Sequence, residues 1–124
     1  MLKSIFLGLL LLCFIQKGFG EEVESYEDAL KVSKETNKEI LLYFGADWCG
    51  YCKKMETTLK DKEVSEKIDN FVVLKVNIDQ NKELAKKYNV KSIPDYMVID
   101  KDSNITKRHK GYKSKEDFFI WLSP

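Results

Sequence analysis

The fold of this 124-residue chain is decided by the segment FGADWCGYCK, which occupies positions 44–53. Within it, Cys49 and Cys52 stand three positions apart, where a strand-like run at 39–44 gives way to good helix formers. On a helix this spacing places both side chains on one face, within reach of a disulfide bond. At a helix N-terminus, unpaired backbone N–H groups and the helix dipole favour a thiolate. The segment therefore predicts a redox pair, in which one thiolate attacks a substrate disulfide and the other thiol resolves the mixed disulfide.

Other uses of a Cys-x-x-Cys pair need partners that this chain supplies only in part. Zinc requires two further ligands, and once residues 1–20 with Cys13 are removed on export, only His109 remains among the usual soft ligands. Covalent haem attachment requires a histidine after the second cysteine, where this chain has Lys53. The interpretation that the pair carries Cu(I) stays open, because soft thiolates select Cu(I). A purely structural disulfide also stays open, although so short a loop contributes little stability.

Outside this segment, apolar patterns and turn residues predict alternating helices and strands. Serine followed three residues later by an acid, a signature of a helix N-terminus, occurs at Ser25 and Ser114. Helices are predicted over about 25–36, 49–60, 64–68, 82–88 and 114–122, and strands over 39–44, 71–78, 96–99 and 105–110. This α/β order predicts a parallel centre with a hairpin at one side and helices on both faces.

The central segment resembles the active-site segment of the thioredoxin superfamily. The resemblance continues at residues 75–81 (KVNIDQN), at 88–94 (YNVKSIP) and at Gly111, in the right order along nearly all of residues 22–122. It implies a thioredoxin fold, with a central mixed sheet of about four strands flanked by helices on both faces. It also implies that no cofactor is required, because the electrons reside in the two cysteines.

The resemblance also implies roles for individual residues. Cys49 is the nucleophile and Cys52 the resolving thiol of a redox-active disulfide. Pro94 is a cis-proline that faces the cysteines, and the backbone of Ile93 pairs with an extended substrate segment. Beyond the resemblance, we expect Trp48 to pack the active-site loop and to form part of the substrate platform.

At position 43 the chain departs from the thioredoxin pattern. Thioredoxin carries a buried aspartate thought to assist proton transfer at the resolving cysteine. This chain has Tyr43 there, whose hydroxyl is a poor base near neutral pH. Lys75 matches the lysine that usually neighbours that aspartate. A proton acceptor for Cys52 is then either missing or supplied by Glu56, by Lys75 or by water.

Between the cysteines the chain has Gly50-Tyr51 rather than Gly-Pro, and we assign both residues to substrate binding and tuning. An aromatic residue there resembles glutaredoxins and periplasmic disulfide isomerases. Asp47-Trp48 resembles the periplasmic reductase domains of disulfide interchange proteins. Residues 21–124 leave no room for the dimerisation domain of the isomerases, and we therefore expect a monomeric reductase.

Asp95 directly follows Pro94, at a position where thioredoxin has threonine. One hypothesis places its charge near Cys49, where it disfavours the thiolate and makes the pair more reducing. The alternation of side chains along a strand supports a second hypothesis, in which Asp95 points to solvent. Arg108 is the single arginine among 21 basic residues, which we interpret as codon bias.

The first twenty residues are expected to be a signal peptide. Lys3 is followed by an uncharged apolar run at 5–15, and glycines at 18 and 20 precede Glu21. This run is shorter than the roughly 20 residues that span a bilayer, and an uncleaved membrane anchor is the weaker alternative. Residues 21–124 then form a single domain that is periplasmic or secreted, where a disulfide can persist.

The charge balance argues against a nucleic acid partner. Removal of residues 1–20 takes two lysines and no acid, which leaves 19 basic and 20 acidic residues and a net charge of −1. Such a chain has no basic excess with which to neutralise phosphates.

These patterns together predict an exported thiol-disulfide oxidoreductase that reduces cysteine pairs of extracytoplasmic proteins. A membrane or periplasmic thiol donor recharges it, and neither a metal nor a cofactor takes part. The alternatives are a disulfide isomerase or oxidase of the same fold, and a non-enzymatic Cu(I) carrier that uses the cysteine pair.

Overall fold

The computed structural model describes residues 21–124, so the expected signal peptide lies outside the described residues. The strands are β1 (Glu21–Val23), β2 (Ile40–Gly45), β3 (Val72–Asn77), β4 (Asp95–Ile99) and β5 (Ile105–Lys110). The helices are α1 (Tyr26–Thr36), α2 (Gly50–Lys60), α3 (Lys62–Ile68), α4 (Lys82–Lys87) and α5 (Lys115–Leu122). Across these residues, no helix is long and apolar enough to cross a membrane.

The strands form one mixed sheet in the order β1-β3-β2-β4-β5. The three strands β1, β3 and β2 are parallel, while β4 and β5 run antiparallel to their neighbours. The predicted thioredoxin fold is therefore confirmed, with five strands where about four were expected. The additional strand, β1, has only three residues, and its two glutamates are exposed. Strand β1 lies at the edge of the sheet, where it pairs only with β3. Its sequence therefore lacks the apolar run by which buried strands are recognised.

Strand β2 lies in the centre of the sheet and is buried on both faces. Its alternate residues enter two separate hydrophobic clusters, since successive side chains point to opposite sides of a strand. Helices α1 and α4 cover one face, with Ile40, Leu42, Phe44, Ala29, Leu84 and Ala85 in the cluster. Helices α2, α3 and α5 cover the other, with Leu41, Tyr43, Met55, Leu59, Val64, Phe118 and Leu122. The expected helices on both faces are confirmed.

Helices α1 and α5 begin where the sequence predicts their caps. The Ser25 side chain accepts a hydrogen bond from the Asp28 N–H at 3.0 Å, and the Ser114 side chain accepts one from the Asp117 N–H at 3.2 Å. Each bond satisfies a backbone N–H that has no partner within its helix. Cys49 is the N-cap residue of α2, and its sulfur accepts a backbone N–H there as the serine hydroxyls do in α1 and α5.

Gly111 connects β5 to the start of the last helical segment in a left-handed conformation, with φ at +100°. Its N–H donates to the Pro94 carbonyl oxygen at 2.7 Å, and its own carbonyl accepts from the Tyr96 hydroxyl at 3.0 Å. We expect Gly111→Ala to lower the free energy of unfolding by about 1–3 kcal/mol, because an L-residue is strained at this φ. Urea denaturation measures the change.

Gly50→Ala is the matched control for that substitution. At both glycines an added Cβ meets no atom within 4 Å, but Gly50 lies in the first turn of α2 with an ordinary backbone. We expect the free energy of unfolding of Gly50→Ala to stay level or to rise by about 0.5 kcal/mol. Equal losses at the two positions would show that the conformation of Gly111 is not the cause.

Candidate active site

Cys49 and Cys52 form a disulfide at the start of α2, with their Cα atoms 5.2 Å apart. Cys49 is the N-cap residue and Cys52 lies within the first turn, so the buried strand β2 delivers the pair to a helix N-terminus. The Cys52 N–H donates to the Cys49 sulfur at 3.1 Å. This donor and the helix dipole together stabilise negative charge on Cys49 once the disulfide is reduced. Cys49 is therefore the sulfur suited to act as a nucleophile.

The Ile93–Pro94 segment lies directly beside Cys49. The Ile93 carbonyl oxygen is 3.8 Å from the Cys49 sulfur, and the Ile93–Pro94 peptide bond is cis. Pro94 immediately precedes β4, and its carbonyl is bound to the N–H of Gly111. A polypeptide that brings a disulfide to Cys49 therefore passes next to this segment.

Two aromatic residues project into solvent around the disulfide. The Trp48 side chain is 69% exposed and Tyr51 is 66% exposed. Trp48 therefore does not bury its ring against the loop, and it is held by its indole N–H, which donates to the Asp79 carboxylate at 2.8 Å. The exposed apolar surface of both rings is available to a polypeptide partner.

Asp79 is a site residue that the sequence analysis missed. Trp48 follows β2 and Asp79 follows β3, and these strands are parallel neighbours. The carboxyl ends of parallel strands meet at one edge of a sheet, which is the signal that could have placed them together. The Asp79 N–H donates to the Asn77 side chain at 2.9 Å, so the backbone that carries this carboxylate is also held.

On the other side of the disulfide, an open cavity of about 740 Å³ brings Cys52 together with Tyr43, Glu56 and Lys75. The Tyr43 hydroxyl donates to the Cys52 carbonyl oxygen at 3.4 Å. Burial, and after it the charge of Glu56, raise the pKa of Tyr43 well above its usual value. The hydroxyl therefore stays protonated at neutral pH and cannot accept the proton of Cys52.

Glu56 and Lys75 form an ion pair in this cavity. Their charged atoms are 3.4 Å apart, and about a third of each side chain is exposed. Glu56 lies one helical turn after Cys52, and residues at this spacing share a face of the helix. The two proton-transfer residues named from the sequence are thus placed on the Cys52 side of the disulfide, with the carboxylate on the same helix as the thiol.

Gly45 makes room for the tyrosine at this site. A Cβ added to Gly45 would lie 3.2 Å from the Tyr43 ring and 3.4 Å from the Cys52 sulfur. The first distance is shorter than carbon atoms in packed interiors normally approach. The aromatic ring beside Cys52 is therefore accommodated because position 45 lacks a side chain.

The structure contradicts the hypothesis that Asp95 points to solvent, and it gives the Asp95 charge a partner other than Cys49. Asp95 is completely buried, so the interpretation that it points to solvent is wrong. Its two carboxylate oxygens accept hydrogen bonds from Arg108, at 3.1 Å from Nε and 2.6 Å from Nη2. Because the guanidinium compensates its charge, Asp95 presents no unopposed negative charge to Cys49. Arg108, which we had interpreted as codon bias, has a defined structural partner.

Comparison with known proteins agrees with this site. Residues 26–123 match the family described as thioredoxin-like domain. The thioredoxin of Bacillus subtilis (strain 168) is 38% identical over 87 residues, which cover 68% of this chain and 80% of that protein. A solved thioredoxin from Thermus thermophilus has a TM-score of 0.73 at 27% identity, covering 83% of this chain and 84% of that one.

A second solved structure is the oxidised C-terminal domain of DsbD from Neisseria meningitidis. It has a TM-score of 0.68 at 27% identity and covers 77% of this chain and 87% of that one. The family match covers the cysteine pair, the residues beside it and the helices that flank the sheet. The chain therefore belongs to the thioredoxin superfamily, as a thioredoxin-like thiol-disulfide oxidoreductase.

Proposed function

We propose that this protein reduces disulfides in extracytoplasmic proteins, with Cys49 as the attacking thiolate and Cys52 as the resolving thiol. The observation that carries the proposal is the position of the Cys49 sulfur. It accepts the N–H of Cys52 at a helix N-terminus, and it lies 3.8 Å from the backbone of Ile93. A sulfur in this place is both stabilised as a thiolate and bordered by a backbone segment that a polypeptide can contact.

The reaction transfers two electrons from the cysteine pair to the substrate. The Cys49 thiolate attacks one sulfur of the substrate disulfide, forms a mixed disulfide and expels the other sulfur as a thiolate. The Cys52 thiol then loses its proton and attacks the Cys49 sulfur. This forms the Cys49–Cys52 disulfide and releases the second substrate sulfur. Both released thiolates take up protons, so the substrate leaves as a dithiol.

Glu56 is the proton acceptor for Cys52 in this proposal. The carboxylates that line the cavity beside Cys52 are Glu56 and Asp47. Only Glu56 lies on α2 one turn beyond Cys52, whereas Asp47 is in the exposed loop before the helix. The ion pair with Lys75 keeps the Glu56 side chain in the cavity. Water that enters the open cavity can carry the proton between the two groups.

The direction of the reaction and its location are supported by different observations. The likeness to the DsbD C-terminal domain and the Asp47-Trp48 sequence support a reductant. The apolar run at 5–15 supports export, to a compartment where a membrane or periplasmic thiol donor must return the electrons.

Sequencing the N-terminus of the protein recovered from a periplasmic fraction tests the export. We expect the recovered chain to begin at or near Glu21.

The reduction potential of the Cys49–Cys52 pair tests the proposed direction. We expect a value close to the roughly −270 mV of thioredoxins, measured by equilibration with glutathione buffers. A value near the −120 mV or so of the oxidant DsbA would contradict a reductant.

Anaerobic titration with Cu(I) tests the competing carrier function. A carrier should bind about one Cu(I) ion tightly through the thiolate pair and should reduce insulin at a negligible rate.

A further inference from the structure

Arg108 and Asp95 form a two-point ion pair across the β4–β5 hairpin. In the register of the hairpin, Asp95 is opposite Lys110 and Met97 is opposite Arg108, so the paired residues are diagonal neighbours on one face. The Asp95 side chain is 0% exposed and that of Arg108 is 24% exposed. An edge strand thus sends its guanidinium inward to a carboxylate in the buried strand β4.

The use of arginine at this position has a geometric reason. Arg108 is the one arginine in a chain with twenty lysines. A planar guanidinium donates two parallel N–H bonds to a carboxylate, whereas a lysine ammonium acts as a point charge. The two bonds from Nε and Nη2 fix the orientation of the Asp95 carboxylate as well as neutralising it.

The pair is next to the backbone that borders Cys49. Asp95 is the first residue of β4 and directly follows Pro94, and the Ile93 carbonyl lies 3.8 Å from the Cys49 sulfur. The N–H of Gly111, directly after β5, also holds the Pro94 carbonyl. Residues 94 and 95 are therefore attached to the β5 side of the hairpin at two successive points.

We propose that Arg108 and Asp95 are positioning residues that hold the Ile93–Pro94 segment at the correct distance from Cys49 for a polypeptide disulfide. This role rests on the proposed reductase function and deepens it. A polypeptide substrate must contact this segment while one of its sulfurs reaches Cys49. A small disulfide reaches the same sulfur without needing that contact, so the pair determines how well protein substrates bind and not how reactive Cys49 is.

The test compares insulin, a protein disulfide, with 5,5′-dithiobis(2-nitrobenzoate), a small one. Dithiothreitol recharges the protein in the insulin assay, and the reduced protein is mixed directly with the small disulfide. For Arg108→Met and Arg108→Lys we expect the KM for insulin to rise about tenfold, within the loss that a 1 Å misplacement can cause. The kcat for insulin and the rate with the small disulfide should stay within about twofold of the parent.

A double variant separates positioning from stability. Arg108→Met alone leaves a buried carboxylate without its partner, which destabilises the fold. Asp95→Val combined with Arg108→Met removes both charges, and should recover unfolding free energy while the KM for insulin stays high. Lys101→Met, at an exposed lysine of the β4–β5 turn, is the control for the charge change and should keep the parent KM.

Each outcome supports or contradicts the positioning role. An unchanged KM in Arg108→Lys and in the double variant contradicts it, even where Arg108→Met fails to fold. If the double variant recovers both the parent KM and the parent free energy of unfolding, the ion pair only stabilises the fold, which contradicts the positioning role. Equal losses with both disulfides place the effect on Cys49 reactivity instead. If the parent protein does not reduce insulin, the proposed function itself fails. If the parent reduces insulin and the variants keep its KM, only the positioning role fails.

Discussion

Substitution of Cys49 by serine is expected to abolish disulfide reduction, and substitution of Cys52 by serine to stop the reaction halfway. A serine hydroxyl at the N-terminus of α2 is not ionised at neutral pH, so Cys49→Ser has no nucleophile. Cys52→Ser keeps the Cys49 thiolate but has no thiol to resolve the mixed disulfide. It should therefore accumulate covalent complexes with its substrates, whereas Cys49→Ser should accumulate none.

Insulin reduction and non-reducing electrophoresis of both variants measure this difference. The bands that disappear on treatment with dithiothreitol are the mixed disulfides, and mass spectrometry of those bands identifies the partners. Each variant lacks one sulfur, and the two positions lie three residues apart at the start of α2, so each controls for the other. Complexes that form with Cys49→Ser and not with Cys52→Ser would reverse the assigned roles.

Substitution of Glu56 by glutamine is expected to slow the resolving step by about 100-fold, the lower end of what general bases contribute. The amide keeps the size of the side chain but cannot accept the Cys52 proton. Single-turnover mixing of the reduced protein with a disulfide peptide measures the step as the decay of the mixed disulfide. The difference from the parent should narrow at alkaline pH, where thiols ionise without a base.

Two variants at the same cavity make this prediction specific to Glu56. Asp47→Asn removes the other carboxylate that lines the cavity, and Tyr43→Phe removes the hydroxyl that contacts the Cys52 backbone. Both should resolve the mixed disulfide at nearly the parent rate. If Glu56→Gln resolves the mixed disulfide at the parent rate, solvent accepts the Cys52 proton. If Asp47→Asn resolves it slowly, Asp47 is the proton acceptor.

The sequence predicted the elements that are marked by their own residues. Ser25 and Ser114 start helices because a serine side chain can satisfy backbone N–H groups locally, without help from the rest of the fold. Strand β2 is apolar throughout because both its faces are buried. The cysteine pair is recognisable for the same reason, since its spacing and its place before a helix are local properties.

The contacts that escaped prediction depend on the tertiary arrangement. Strand β1 begins with two exposed glutamates, and it is a strand because β3 pairs with it. Alternation indicates which face of β4 Asp95 is on, but not that Arg108 is there to receive it. The bond between Trp48 and Asp79 likewise depends on the neighbouring positions of β2 and β3. Burial, charge compensation and such cross-strand contacts require the packed structure.

The close contact between Gly45, the Tyr43 ring and the Cys52 sulfur restricts the order in which this site can change during evolution. While position 43 is tyrosine, any side chain at 45 is crowded. Once position 43 has become a smaller acid, the same side chain fills the space that the ring has left. A lineage that changes both positions is therefore expected to change position 43 first and position 45 afterwards. A protein engineer who grafts that aspartate should pair Tyr43→Asp with Gly45→Ala.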